Sequence, residues 1–312
     1  TVLDLAHWLH QKTRAHDLCL AGGVALNCVM NARLRDEGPF ERVWVQPAAG
    51  DAGTALGAAL WLDWHDRAAR GTGVLLAPHV ERRRRWRMDH ACLGPAFDDD
   101  SIEDALVRAK ISYRRVDNIA EAVAPLLARE RIVGWFQGRM EFGPRALGAR
   151  SILASPIPHD MQRRLNALKD REDFRPVAPM VLEERAHQWF STSRQQCRAV
   201  ANGPPIVEDD GLPAPFMTFT FNVRPERRDR IPAVRHIDGS ARVQTVNRAQ
   251  HPLCHALIEA FERHTGVPVI VNTSFNTLGR PIVCTPRDAL EAFFTSPIDA
   301  LAIGSFIVEK PV

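Results

Sequence analysis

The chain has 312 residues, of which 45% are hydrophobic and 25% are charged, and its formal net charge is +3. This length predicts about two domains, and the composition is that of a globular protein rather than a disordered or fibrous one. No apolar run reaches the roughly 18 residues that a membrane-spanning helix needs, so we expect no membrane partner. The small net charge does not by itself indicate nucleic-acid binding.

The six cysteines are scattered and form no C-x-x-C pair, so neither a zinc ribbon nor a thioredoxin-like site is predicted. They lie in apolar stretches, which predicts buried free thiols in a reducing compartment, the cytoplasm. We find no signal peptide or lipidation motif. A helical pattern begins directly at Thr1, so we expect the chain to be part of a longer protein.

The first part of the chain alternates between the two regular structures. Its periodicity predicts helices at 1–15, 24–34 and 52–64 and strands at 18–21 and 42–46. This alternation indicates an α/β layer. Residues 65–100 differ in character, with Gly, Pro, an arginine run and three consecutive aspartates. We therefore predict a first domain at 1–95, including the linker, and a second at 96–312.

The second part also mixes helices and strands, so the whole chain is predicted to be α/β (α+β). Ser101 and Asp104 resemble a capping box for its first helix. The Pro/Gly-rich stretch 202–215 is predicted to be a loop. The predicted helices lie near 101–110, 119–130 and 251–264, and the predicted strands at 131–137, 216–223, 242–246, 267–271 and 300–308.

Two short stretches of the first part are candidate sites. Gly22 and Gly23 separate a strand from a helix, with Asn27 one turn into it, so a ligand phosphate could approach the backbone there. The alternative is a tight strand–helix turn. Asp51 precedes a helix, where it either caps the helix or acts as a metal ligand or catalytic carboxylate at the mouth of the sheet.

The densest signal is the block 137–151, which holds three arginines, three glycines and a proline directly after a predicted strand. The arginines are Arg139, Arg145 and Arg150. Guanidinium forks bind phosphate oxygens in bidentate fashion, while glycines let the backbone adopt unusual conformations. We predict a phosphate or carboxylate site here, with a structural arginine network as the alternative.

Three later stretches can add to the same site. Lys169 and Arg175 lie in a charged run. They either bind the same anion as the arginines or belong to a surface turn with internal ion pairs. Asn272 and Ser274 follow a strand, where they either bind a nucleotide or acyl phosphate or cap a turn. Arg242 and its neighbour Gln244 either line a site or face water. Because no G-x-S-x-G elbow surrounds Ser274, a serine hydrolase is not predicted.

Two other features of the sequence give weaker indications of function. The histidines show no metal-ligand spacing. The arginine run at 82–87 could contact RNA or an acidic surface, but only Trp86 is interleaved with it, so we predict no nucleic-acid partner.

Five motifs, at 20–27, 47–53, 138–151, 169–179 and 271–276, occur in the order found in a known family. Together they resemble the O-carbamoyltransferases of nodulation-factor and antibiotic biosynthesis, over nearly the whole chain. The resemblance implies the C-terminal part of an actin-like (ASKHA) domain of the tRNA-threonylcarbamoylation type, followed by a YrdC-like α/β domain.

The resemblance also implies an activity. Carbamoyl phosphate and ATP would give carbamoyl adenylate in the YrdC-like domain, and the carbamoyl group would then pass to a hydroxyl of a natural product or sugar. The implied cofactors are ATP with Mg²⁺ and an Fe²⁺ or similar divalent metal. The implied partners are carbamoyl phosphate and a small-molecule hydroxyl acceptor, and a homodimer is compatible with the family.

The resemblance assigns the functional roles of the family to the residues of this sequence that match its motifs. The implied catalytic residues are Lys169, Arg175, Arg145 and Ser274, the implied cofactor-binding residues are Gly22, Gly23, Asn27, Arg139, Arg150, Arg242 and Asn272, and the implied metal ligand is Asp51. The family's metal-binding histidines lie in an N-terminal lobe that this sequence lacks, so the metal site at Asp51 is expected to be incomplete. We therefore expect this chain to retain adenylate formation but not the transfer step. Two alternatives stay open: a tRNA threonylcarbamoylation-type enzyme, and a nucleotide-binding module without turnover.

Overall fold

The computed structural model describes residues 1–70, 88–191, 214–277 and 279–310. The arginine run at 82–87 and most of the predicted loop at 202–215 lie outside these residues. The domain boundary predicted at residue 95 stays a prediction.

Residues 1–70, here called the first region, contain a two-stranded parallel sheet and three helices. Strands β1 and β2 confirm the predicted strands. The predicted helix at 24–34 is instead a 3-10 turn followed by α2, and the linker predicted from residue 65 is still helical at its start. The elements are α1 Val2–Thr13, β1 Asp17–Leu20, α2 Cys28–Glu37, β2 Arg42–Val45 and α3 Thr54–Ala69.

Residues 88–310, here called the second region, are built on a mixed eight-stranded sheet with the order β10-β6-β11-β5-β4-β12-β13-β3. Three short strands, β7, β8 and β9, form a separate small sheet. The strands are β3 Arg114–Arg115, β4 Val133–Phe136, β5 Arg150–Ala154, β6 Ala178–Leu182, β7 Phe190–Ser191, β8 Phe221–Val223, β9 Ser240–Ala241, β10 Gln244–Val246, β11 Val269–Ser274, β12 Ala300–Ile303 and β13 Phe306–Glu309.

Helices cover this sheet. Every residue of β4, β5, β6 and β12 is buried, as expected for strands covered on both faces. Helices α5 and α8 pack against each other, and α8 also contacts β6 and β11. The helices are α4 Asp99–Arg108, α5 Ile119–Ala128, α6 Met161–Leu168, α7 Glu183–Ala186, α8 Pro252–Thr265 and α9 Pro286–Phe294. The predicted α/β (α+β) class is confirmed.

Some local predictions are wrong for identifiable reasons. The single strand predicted at 300–308 is a hairpin, because Gly304 turns the chain at φ 53° between β12 and β13. Asp98 caps α4 in place of Ser101, since its carboxylate accepts from the Ser101 N–H at 2.9 Å. Among the described cysteines, Cys254 is buried as predicted but Cys19 is exposed.

The two regions contact each other through α2. The Asn31 amide donates to the Thr218 carbonyl at 2.9 Å, and Arg35 donates to the Thr220 carbonyl at 3.0 Å. In the described part of the chain, no helix has the length and apolar character to cross a membrane.

Candidate functional site

One buried side chain organises the loop that follows α6. The Asn166 amide nitrogen donates to the carbonyls of Asp173 at 2.8 Å and Arg175 at 2.9 Å. Its Oδ1 accepts from Arg171 Nε at 2.6 Å. Asn166 therefore fixes the path of residues 169–175, which we call the cationic loop.

Lys169 reaches from the end of α6 to the end of β11. Its Nζ donates to the backbone oxygen of Ser274 at 2.6 Å, to Ser274 Oγ at 3.0 Å and to Asn276 Oδ1 at 2.8 Å. Ser274 Oγ in turn donates to Asn276 Oδ1 at 2.6 Å. Three acceptors match the three N–H donors of an ammonium group, so the side chain is held in one position.

The environment of Lys169 changes its ionisation. Burial lowers the pKa of Lys169 to about 7, and the positive charge of Arg171 acts in the same direction. At this pKa the side chain exchanges between ammonium and amine near neutral pH. An anion bound beside it favours the ammonium form. Lys169 is therefore suited to stabilise phosphate charge or to transfer a proton.

An open cavity of about 630 Å³ lies over Lys169, a size suited to a small phosphorylated ligand. Arg175 Nε lies 2.7 Å from Glu172, and both side chains are about half exposed. Arg171 Nη2 is buried and has no hydrogen-bond partner within the described structure. A buried donor without a partner requires an explanation, and an anion bound in the cavity would supply the missing acceptor. The cavity is lined by Lys169, Asp170, Arg171, Glu172, Arg175, Ser274, Asn276, Thr277 and Gly279.

Two more arginines extend the positive charge towards the first region. Burial and the charge of Arg242 lower the pKa of Arg145 to about 10. Burial and the charges of Arg175 and Arg242 lower the pKa of Arg171. Arg145 Nη2 donates to the Leu26 carbonyl at 3.3 Å. These cations repel one another, so a bound polyanion would relieve an unfavourable charge density.

Arg150 has a structural role in this arrangement. It is fully buried, and its guanidinium carbon lies 3.6 Å from the centre of the Phe136 ring. Its Nη1 donates to the carbonyls of Gln137 at 3.1 Å and Gly138 at 3.2 Å, and its Nη2 donates to Pro95 at 3.3 Å. These contacts agree with the alternative prediction for Arg150, a structural arginine network, rather than with a ligand site.

Arg139 and Asn272 lie in different surroundings. Arg139 is exposed and donates to the Leu93 carbonyl at 3.0 Å. Asn272 is buried, and its amide donates to Gln244 Oε1 at 2.7 Å and to the Ala146 carbonyl at 3.1 Å. Its Oδ1 is buried without a hydrogen-bond partner among the described residues. Gln244 is fully buried, so it does not face water.

The candidate residues of the first region do not line the cavity. Gly22 has φ 95°, and its N–H donates to the Ala49 carbonyl at 2.7 Å, which joins the two loops that follow β1 and β2. Gly23 begins the 3-10 turn. Asn27 caps α2, since its Oδ1 accepts from the backbone N–H of Met30 at 3.0 Å.

Asp51 does not form a metal site with the residues present. It is exposed at the start of a 3-10 turn. Over residues 1–70, 88–191, 214–277 and 279–310, the group of possible ligands close enough to share an ion is Glu184, His255 and Glu259, which excludes Asp51. One carboxylate is too few for a catalytic metal. The described residues therefore do not fit the metal that the resemblance implies at Asp51.

Sequence reasoning missed three residues that shape the cavity. Arg171 and Asn276 lie in the motifs 169–179 and 271–276. Several residues of each motif are charged or polar, so the sequence alone does not show which of them line a site. Asn166 lies in a helix with no local signal, and its role follows only from the hydrogen bonds to the cationic loop.

Two family profiles match this sequence. The profile described as Carbamoyltransferase C-terminus matches residues 124–310, more than half of the chain, and the one described as Carbamoyltransferase N-terminus matches residues 1–60. The chain belongs to the carbamoyltransferase family. The predicted family resemblance is thereby confirmed.

Curated relatives are similar over nearly all of this chain. An uncharacterized protein of Synechocystis is 40% identical over 99% of the chain and 50% of its own length. Nodulation protein NolO of Bradyrhizobium diazoefficiens is 40% identical over 96% of the chain and 51% of its length. Nodulation protein U of Rhizobium tropici is 38% identical over 89% of the chain and 41% of its length. The chain thus spans about half the length of these relatives.

Solved structures are similar at a lower level. A full-length HypF in a phosphate- and nucleotide-bound form has 18% identity and a TM-score of 0.40, covering 61% of this chain and 25% of its own. A Sua5 of P. abyssi complexed with L-threonine has 14% identity and a TM-score of 0.40, covering 61% of this chain and 47% of its own. These scores are too low to support an inference about this chain.

Proposed function

We propose that this chain forms carbamoyl adenylate from carbamoyl phosphate and ATP, as the adenylate-forming part of an ATP-dependent O-carbamoyltransferase. The observation that carries the proposal is the cavity around Lys169. It combines a buried lysine of pKa about 7 with two arginines, in a chain of the carbamoyltransferase family.

The proposed reaction brings two polyanions together. Water releases inorganic phosphate from carbamoyl phosphate and leaves carbamate, and a carbamate oxygen then attacks the α-phosphorus of ATP as pyrophosphate departs. Such steps depend mainly on positioning and on stabilising negative charge. Lys169, Arg171 and Arg175 would bind the phosphate oxygens, with Arg145 and Arg242 extending this field. Mg²⁺ would enter as its ATP complex and screen the same charge.

Polar groups on β11 would orient the carbamoyl group. Asn272 and Ser274 are two positions apart on one strand, so they face the same side of the sheet. The Oδ1 of Asn272 is buried without a partner among the described residues and does not line the cavity, so it would need an opening beside Ser274 to accept from a carbamoyl N–H. Ser274 Oγ, already bonded to Lys169, would contact the same group.

The later transfer to a hydroxyl of a natural product or sugar is proposed for the whole protein. Family membership supports it, with Gly22, Gly23 and Asn27 as the proposed nucleotide contacts of the first region. The proposed reaction uses no metal at Asp51, because the described residues do not form a site there. A cytoplasmic location and a homodimer stay predictions.

Pyrophosphate exchange tests the proposed half-reaction. The whole chain is incubated with ATP, Mg²⁺ and labelled pyrophosphate, with and without carbamoyl phosphate. We expect label to enter ATP only when carbamoyl phosphate is present. Exchange that requires bicarbonate and threonine instead would indicate a threonylcarbamoylation-type enzyme. Tight ATP binding without any exchange would indicate a nucleotide-binding module.

A further inference from the structure

We propose that Glu184, His255 and Glu259 form a divalent-cation site in the second region, suited to Zn²⁺. None of the three lines the cavity around Lys169. The proposal concerns binding alone and does not depend on the proposed carbamoyl chemistry.

The backbone brings these three side chains together. His255 and Glu259 are four residues apart on α8, so they lie on one face of the helix. Glu184 lies on α7, directly after β6. One ligand atom from each residue lies within 4.8 Å of the other two. Zn²⁺ binds nitrogen and carboxylate oxygen at about 2.0–2.2 Å, so small side-chain rotations would close this group around an ion.

The hydrogen bonding of His255 supports coordination. His255 is 2% exposed, and its Nε2 lies 2.9 Å from Glu184 Oε1. Its Nδ1 is buried, has no hydrogen-bond partner among the described residues, and lies 3.4 Å from Glu259 Oε2. Metal-ligating histidines usually donate their other ring N–H to a carboxylate, which fixes the tautomer. For Glu184 and His255 to ligate the same ion, the ion must bind Nε2 in place of this contact, which leaves the ring proton on Nδ1, 3.4 Å from Glu259 Oε2.

The charge balance also favours a cation. Two carboxylates and the Arg248 guanidinium surround a single imidazole, so the group has a net negative charge when the imidazole is neutral. Arg248 pairs with Glu259 through Oε1 at 2.6 Å, which leaves Oε2 directed at His255. The Glu184 side chain is 54% exposed, so an ion can enter from solvent and keep a water ligand. One histidine and two carboxylates are a ligand set that Zn²⁺ accepts.

Calorimetric titration with Zn²⁺ tests the site. The whole chain is first freed of metal with a chelator. We expect one site of micromolar or tighter Kd, weakened at least tenfold in Glu259→Gln and in His255→Gln. Matched controls on the same helix are Glu262→Gln, whose carboxylate faces Arg185, and the exposed His264→Gln, and both should retain the site.

The alternative is an imidazolium held between two carboxylates without metal. It predicts that Zn²⁺ binds the wild type no better than Glu259→Gln, and that result would overturn the proposal. If His255→Gln does not fold, Glu184→Gln replaces it, since this side chain is half exposed. A Zn²⁺-dependent rise in Tm that is present in the wild type and the controls, but absent in Glu184→Gln, would support the site.

Discussion

The two regions of the chain differ in how completely they bury their apolar surface. The second region places an eight-stranded sheet between helices, and its largest core side chains, such as Trp135 and Phe261, are fully buried. The first region has two strands and a buried cluster of Ala6, Leu34 and Phe40. Its exposed large apolar side chains include Leu5, Trp8, Leu60, Trp61, Leu62 and Trp64.

This difference in burial indicates that the second region fixes the positions of the site residues. A two-stranded sheet is marginal by itself, whereas a large closed core fixes the ends of its strands. Lys169, Ser274 and Asn276 all depend on the second region's core for their positions. The exposed apolar side chains of α1 and α3 are instead typical of surfaces that bind other protein.

Truncating one leucine in each region should have very different effects. Leu301 in β12 is fully buried and packs beside Gly134 and Phe275, so Leu301→Ala should lower the free energy of unfolding by about 3 kcal/mol. Leu60 is 59% exposed, so Leu60→Ala should change it by less than about 0.5 kcal/mol. Urea unfolding followed by circular dichroism measures both. Equal losses would contradict the difference in burial.

The same glycine substitution should have opposite signs in the two regions. Gly148 has φ 109°, and an added Cβ would lie 2.6 Å from Cys254 Sγ, so Gly148→Ala should destabilise the fold by about 2 kcal/mol. Gly57 lies in α3, and no atom of the described residues is within 4 Å of an added Cβ. Gly57→Ala should therefore stabilise that helix by about 0.5–1 kcal/mol. Thermal unfolding measures both changes in stability. Two changes of the same sign would contradict this prediction.

The near-neutral pKa of Lys169 predicts a pH effect on anion binding. Below about pH 7 the side chain is charged, and above it the charge is lost, so pyrophosphate should bind about tenfold more weakly at pH 8.5 than at pH 6.5. Calorimetry on the wild type and Lys169→Met separates this effect from the ligand's own ionisation, which is common to both. Parallel pH profiles in the two proteins would refute the assignment.

The sequence predicted the fold class and several elements because hydrophobic periodicity and glycine positions are local. It also singled out Lys169, Arg175 and Ser274, which the structure brings to one cavity, since each lies in a short polar stretch beside a predicted element. It did not reveal that Arg150 is buried against Phe136. The same guanidinium that can bind phosphate can bind carbonyls, and only the tertiary packing decides between them.

Long-range contacts explain the remaining misses. Asn166 and Arg171 act through hydrogen bonds within one folded loop. The spacing of His255 and Glu259 is visible in the sequence, but Glu184 is 71 residues away from that histidine. No sequence periodicity relates positions so far apart, so the cluster can be recognised only from the packing of α7 and α8.

The most direct test of the central claim compares two lysines, one from each region. Lys169→Met removes the buried ammonium at the cavity, and Lys12→Met removes an exposed one on α1. In carbamoyl-phosphate-dependent exchange of pyrophosphate with ATP, we expect Lys169→Met to lose about 100-fold or more and Lys12→Met to match the wild type. Full exchange by a folded Lys169→Met protein would contradict the proposed site.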